Sequence, residues 1–70
     1  MSIDDMKQRF ILGLLEQGIF TSKNENNEDI IVSVGSNGFQ ISTEQSNGWT
    51  RINRYTYEGN QWTYEEMYER

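Results

Sequence analysis

The stretch 49-WTRINRYTYEGNQWTYEEMY-68 holds six of the nine aromatic residues in this chain of 70: Trp49, Tyr55, Tyr57, Trp62, Tyr64 and Tyr68. At its midpoint, Gly59-Asn60 has the chemistry of a two-residue hairpin loop. Folding the stretch about that loop pairs Tyr57 with Trp62, Tyr55 with Tyr64 and Arg51 with Tyr68 on one face. On the other face Thr56 meets Thr63, Arg54 meets Glu65 and Ile52 meets Met67. Aromatic meets aromatic and opposite charges meet, as stabilising cross-strand pairs require. This agreement predicts strands over 49–58 and 61–68. Tyr64, Met67 and Tyr68 also fit one face of a terminal helix over 62–68, but the pairing favours the strand.

Upstream, Gly35-Ser36-Asn37-Gly38 and Gln45-Ser46-Asn47-Gly48 are turn signals flanking runs rich in Ile, Val and Thr. A hairpin centred on Ser36-Asn37 pairs Val34 with Phe39, Val32 with Ile41 and Ile30 with Thr43, predicting strands over 30–34 and 39–43. The two hairpins are joined through Glu44–Gly48, and the parity of that join sets which faces align, because strand side chains alternate. A five-residue loop opposes Thr43 to Trp49 and Ile41 to Arg51, which makes the aromatic face continuous with the Val32/Val34/Phe39/Ile41 core face. A four-residue loop opposes Ile41 to Ile52 and turns the aromatics to the other side. The core placement is favoured, because aromatics dominate the burial energy of a domain short of apolar residues.

Residues 2–17 read as an amphipathic helix. Ser2 is an N-cap and Asp4 and Asp5 occupy the first turn, where carboxylates oppose the positive end of the helix dipole. Ile3, Met6, Phe10 and Leu14 form an apolar stripe widened by Ile11 and Leu15, with Lys7 placed on the exposed side. Gly18 suits a left-handed stop with Ile19 folding back on Leu14, while Gly13 reads as an internal weakness of about 1 kcal/mol. Ile19-Phe20-Thr21 reads as a short extended segment and 22–29 as a polar loop. The expected fold class is α+β: one N-terminal amphipathic helix packed on an antiparallel meander of three to four strands, in a single domain over 1–70.

Composition narrows the function. Seventy residues make one thin core, which supplies no more than roughly 3–5 kcal/mol. Neither cysteine nor histidine is present to staple it by a disulfide or an ordinary structural zinc site, so a homodimer is one expectation. Eleven acidic and six basic residues give a net charge of −5, which repels phosphate backbones and anionic lipid and favours basic partners. Arg51 and Arg54 beside aromatics could stack unpaired bases, but without a basic stripe nucleic-acid binding is a minor reading. No secretion signal and no apolar run of ~20 residues is present, so no membrane association and a cytoplasmic setting are expected.

Catalysis is not expected. The two most versatile catalytic side chains are missing, and neither Lys7 nor Lys23 sits where desolvation would make it a base. Glu66 lies beside the aromatic face with no second acid to share acid and base roles. Glu25, Glu28 and Asp29 offer oxygen ligands without the spacing of a calcium loop, so neither a metal nor a cofactor is expected. In size, acidity and asparagine content the chain is similar to small accessory proteins of bacteria and their phages, a likeness of composition with no motif behind it. The leading expectation is a protein-interaction module, a regulator or inhibitor of a larger partner. Its contact residues are Trp49, Arg51, Tyr55, Tyr57, Trp62, Tyr64, Glu66 and Tyr68, with Glu69 at the rim.

Overall fold

The computed structural model describes residues 2–70. One helix, α1 (Ile3–Ile11), precedes five strands: β1 (Gly18–Lys23), β2 (Asp29–Val34), β3 (Gly38–Glu44), β4 (Thr50–Glu58) and β5 (Gln61–Glu69). The strands form a single antiparallel sheet in the order β1-β2-β3-β4-β5. The α+β meander is therefore as expected, with five strands instead of three or four. No helix among the described residues is long and apolar enough to cross a membrane.

The helix starts where the sequence places it, with Ser2 Oγ accepting from the Asp5 amide at 3.2 Å. It ends six residues earlier than expected. Gly13 adopts φ +71°, its amide donates to the Phe10 carbonyl, and the Leu14 amide donates to the Arg9 carbonyl at 2.8 Å. These two bonds make the Schellman stop expected at Gly18. Gly18 instead opens β1, and Ile19 points to solvent. Gly13 is thus a terminator, and the sign of one substitution tests this. Gly13→Ala, with open space around a new Cβ, is expected to destabilise by about 1 kcal/mol in urea unfolding, because an alanine must enter the left-handed region. In a helix interior the same change would stabilise by a similar amount.

β1 contains the extended segment expected at 19–21 and takes in Ser22 and Lys23 from the polar loop expected over 22–29, while Asp29 begins β2. The loop shrinks to Asn24–Glu28, which closes on itself. Asn24 Oδ1 accepts from the amides of Asn26 and Glu28, both at 3.0 Å, and Asn24 Nδ2 donates to Glu28 Oε1 at 2.9 Å. Lys23 and Asp29 pair at 2.7 Å across the loop mouth, where both are exposed.

Both hairpin registers match the sequence reading. Val34 opposes Phe39 and Ile30 opposes Thr43, while Tyr57 opposes Trp62 and Arg51 opposes Tyr68. The join differs in detail. Its five residues are Gln45–Trp49, held by the Gln45 amide bonding the Trp49 carbonyl at 3.0 Å. Thr43 opposes Arg51, Ile41 opposes Asn53 and Phe39 opposes Tyr55, a two-residue slide from the expected pairs. A slide of two preserves parity. The C-terminal aromatics therefore share the face of Val32, Val34, Phe39 and Ile41, and α1 packs there. Met6, Val34 and Phe39 are buried at its centre, with Ile3, Phe10, Leu15, Tyr55 and Trp62 around them. On the opposite face Ile52, in register with Ser42 and Met67, is also buried.

Candidate functional site

The C-terminal hairpin is set by its turn. Gly59 at φ +57° and Asn60 at φ +62° supply the paired positive values that a type I′ loop demands. The rings of Tyr57 and Trp62 lie 4.9 Å apart and those of Tyr55 and Tyr64 5.0 Å apart. Thr50–Glu58 and Gln61–Glu69 each span about 30 Å at roughly 3.3 Å per residue, whereas a nine-residue helix is only about 13 Å long. Hence α1 covers one end of the hairpin. Phe10 meets Trp62 edge-on at 5.5 Å and Tyr57 at 6.4 Å, and Phe39 stacks on Tyr55 at 5.1 Å.

That length difference divides the expected contact residues. Tyr55, Tyr57 and Trp62 are half-buried beneath or beside the helix. Tyr64 and Tyr68, further along β5, are 52 % and 53 % exposed. Glu66 and Glu69 are exposed as well. Trp49 is the last residue of the β3–β4 loop instead of the first of a strand. Its amide donates to Asn47 Oδ1 at 3.0 Å, and the Arg70 guanidinium lies over its ring at 5.4 Å. Trp49 is therefore separate from the aromatic ladder.

Beside the uncovered half of the hairpin runs a groove of about 760 Å³. Ile3 and Met6 of the helix bound one side, Phe20, Val32 and Ile41 contribute an apolar floor, and Arg51, Asn53, Tyr64 and Glu66 form a polar wall. Asn53 Nδ2 donates to the Tyr64 hydroxyl at 2.6 Å and to Glu66 Oε1 at 3.4 Å. Arg51 is half-buried, and its Nε has no hydrogen-bond partner among the described residues. Burial raises the Tyr55 hydroxyl above the ordinary tyrosine value; the charges of Tyr64 and Glu66 add to this and Arg51 opposes it. Tyr55 thus stays neutral through the physiological range. The groove thus combines an apolar floor with a hydrogen-bonding wall.

Three residues of this region escape the sequence reading. Asn53 opposes Glu66 once the Gly59-Asn60 turn is placed, so the register itself carries that signal. Lys7, expected on the exposed side of the helix, lies 5.3 Å above the Tyr55 ring and 5.6 Å above that of Trp62. It stands four residues after Ile3 and three before Phe10, the spacing of one helix face. Phe20 lines the groove only because β1 joins the sheet. Conversely, Arg54 opposes Glu65 in register, yet its Nε donates to Gln40 Oε1 at 3.2 Å. Among the described residues no group of three or more His, Cys, Asp or Glu side chains is placed to hold a metal ion. Asp29 is paired with Lys23, and Glu28 with Asn24. No family model, curated protein or solved structure matches this chain.

Proposed function

We propose that this chain is a non-enzymatic protein-interaction module, a small acidic regulator or inhibitor that grips a larger partner by the outer half of its C-terminal hairpin. The observation that carries this reading is the pair Tyr64 and Tyr68, two large rings left half in water on a strand whose backbone is fully paired on one side. Aromatic rings on a fixed scaffold lose little freedom on binding, and tyrosine, tryptophan and arginine dominate interface hot spots. Arg51 and Glu66 beside them supply charges of both signs, and the net charge of −5 favours a partner with a basic surface.

The test separates contact from folding. Tyr64→Ala and Tyr68→Ala are expected to keep a cooperative melt within about 1 kcal/mol of the native chain, since both positions are exposed. Each is expected to weaken a partner captured by the native chain by about 30-fold, corresponding to a hot-spot loss of about 2 kcal/mol. Trp62→Ala, which removes a ring packed on Phe10 and Phe39, is expected to destabilise the fold itself. Unchanged affinity in the Tyr64→Ala, Tyr68→Ala double variant would remove this surface from consideration.

A further inference from the structure

The two edges of the sheet differ sharply in chemistry. β5 carries Glu65, Glu66 and Glu69, a run of like charge that repels an incoming strand. β1, at the other edge, is the one strand of the five without an acidic residue, and it contains no proline. Its register with β2 runs unbroken from Gly18 opposite Val34 to Lys23 opposite Asp29, so no bulge bends it away. All six of its residues are exposed, with Ile19 at 74 %. Phe20 is exposed beside it, as is Ile31, which lies diagonal to Ile19 across β2. Leu12 and Leu14, in the segment leading into β1, add more exposed apolar surface.

We infer that β1 pairs antiparallel with β1 of a second copy of this chain, joining two five-stranded sheets into one sheet of ten strands. Self-complementarity selects the occupant, since β1 opposes its own copy with no acid and no like-charged pair in register, and charge selects the edge. Each chain carries −5, and two copies meet with least repulsion along the edge that has no acid and ends in Lys23. Symmetry then restricts the register. A two-fold axis through an antiparallel pair exchanges the opposed residues, which must share a face, so one residue of β1 faces itself. With Phe20 on the axis, Ile19 opposes Thr21, Gly18 opposes Ser22, and each Lys23 extends past the end of the ladder. With Thr21 on the axis, Ile19 would oppose Lys23. Phe20 is the better centre, and both helices then lie on the same side of the joined sheet. This pairing leaves the C-terminal hairpin, at the far edge, free for its own partner, so the two readings stand or fall separately.

The absence of native cysteine permits a direct test. In the proposed register Phe20→Cys places two cysteines directly opposite, with Cα atoms about 4.5–5.5 Å apart, within disulfide range. Mild oxidation is expected to give a covalent dimer of Phe20→Cys and little from Thr21→Cys, whose copies lie two positions apart along the strand. Sedimentation equilibrium of the unmodified chain is expected to show a dimer by about 100 µM, and Ile19→Lys to raise its dissociation constant at least about 10-fold. Ile19 is exposed, so that variant keeps its fold and decides the matter even if Phe20→Cys does not. A monomer at all concentrations overturns the inference. So does a dimer indifferent to Ile19→Lys, and cross-linking of the Thr21→Cys variant in preference to the Phe20→Cys variant overturns the register.

Discussion

Gly38→Ala is expected to leave the chain unfolded at 25 °C. Gly38 begins β3 at φ +154°, a region side chains rarely enter, and a Cβ built there overlaps the Tyr55 carbonyl oxygen and lies 3.0 Å from Thr56 Cα. Both obstacles are backbone of β4, so no side chain can swing aside. The approach is close for a reason. The Tyr57 amide donates to the Asn37 carbonyl at 2.7 Å, and the Gly35 amide donates to the Gly38 carbonyl at 2.9 Å. The first bond draws the β2–β3 turn against β4, and the second closes the turn itself. Making room for a methyl group means parting β3 from β4 where Phe39 stacks on Tyr55. Backbone strain of about 1–3 kcal/mol and overpacking of about 1–3 kcal/mol together rival the roughly 3–5 kcal/mol that so small a core supplies. Far-UV circular dichroism and an amide correlation spectrum read the outcome. Gly35→Ala, three residues away with open space around its Cβ, is the control and is expected to fold. A Gly38→Ala melt within a few degrees of the native chain would mean that β3 and β4 do not approach as described.

The clash also shows what the sequence disclosed and what it hid. Turn chemistry with symmetric flanks defines the registers about Ser36-Asn37 and Gly59-Asn60, because every additional matched pair tests the same alignment. The parity of the β3–β4 join is legible for the same reason, since the apolar face of β3 demands a continuation. Its register is not. Trp49 looks like a strand residue, but the Asn47 side chain takes its amide and holds it in the loop. The helix end is hidden by two glycines, either of which suits a left-handed stop, with Leu14 and Leu15 at helical spacing between them. Only the bonds from Gly13 and Leu14 back to Phe10 and Arg9 distinguish them. β1 leaves little pattern, because an edge strand outside the main core has no buried face to impose alternation. The candidate site depends on where the helix lies: its last turn sits over Tyr57 and Trp62 through Phe10, its first turn borders the groove through Ile3 and Met6, and Tyr64, Glu66 and Tyr68 remain exposed.

Phe39→Ala is expected to abolish cooperative folding, with helix and sheet failing together. Phe39 is 3 % exposed, opposed in register by Val34 on one side and Tyr55 on the other. Its ring stacks on Tyr55 at 5.1 Å, meets Trp62 edge-on at 5.7 Å and lies 6.5 Å from Phe10. It therefore contacts the helix and both strands of the C-terminal hairpin at once. Truncating a buried phenylalanine costs about 3–5 kcal/mol, the whole of what a core this size supplies. Phe39→Leu keeps most of the volume and is expected to cost about 1 kcal/mol, lowering the melting temperature by roughly 4–8 °C in a domain of this length. The fluorescence of Trp49 and Trp62 reports the hairpin with its preceding loop and far-UV ellipticity the backbone, and in Phe39→Leu both are expected to follow one transition. Separate transitions would show that the helix is docked independently of the hairpin. A Phe39→Ala chain that melts like the native one would move the stabilising contacts to the opposite face, where Ile52 is the only strongly buried side chain among the described residues. A lone buried isoleucine contributes about 1.5–3 kcal/mol, too little to hold five strands, so the fold depends on the side that α1 covers.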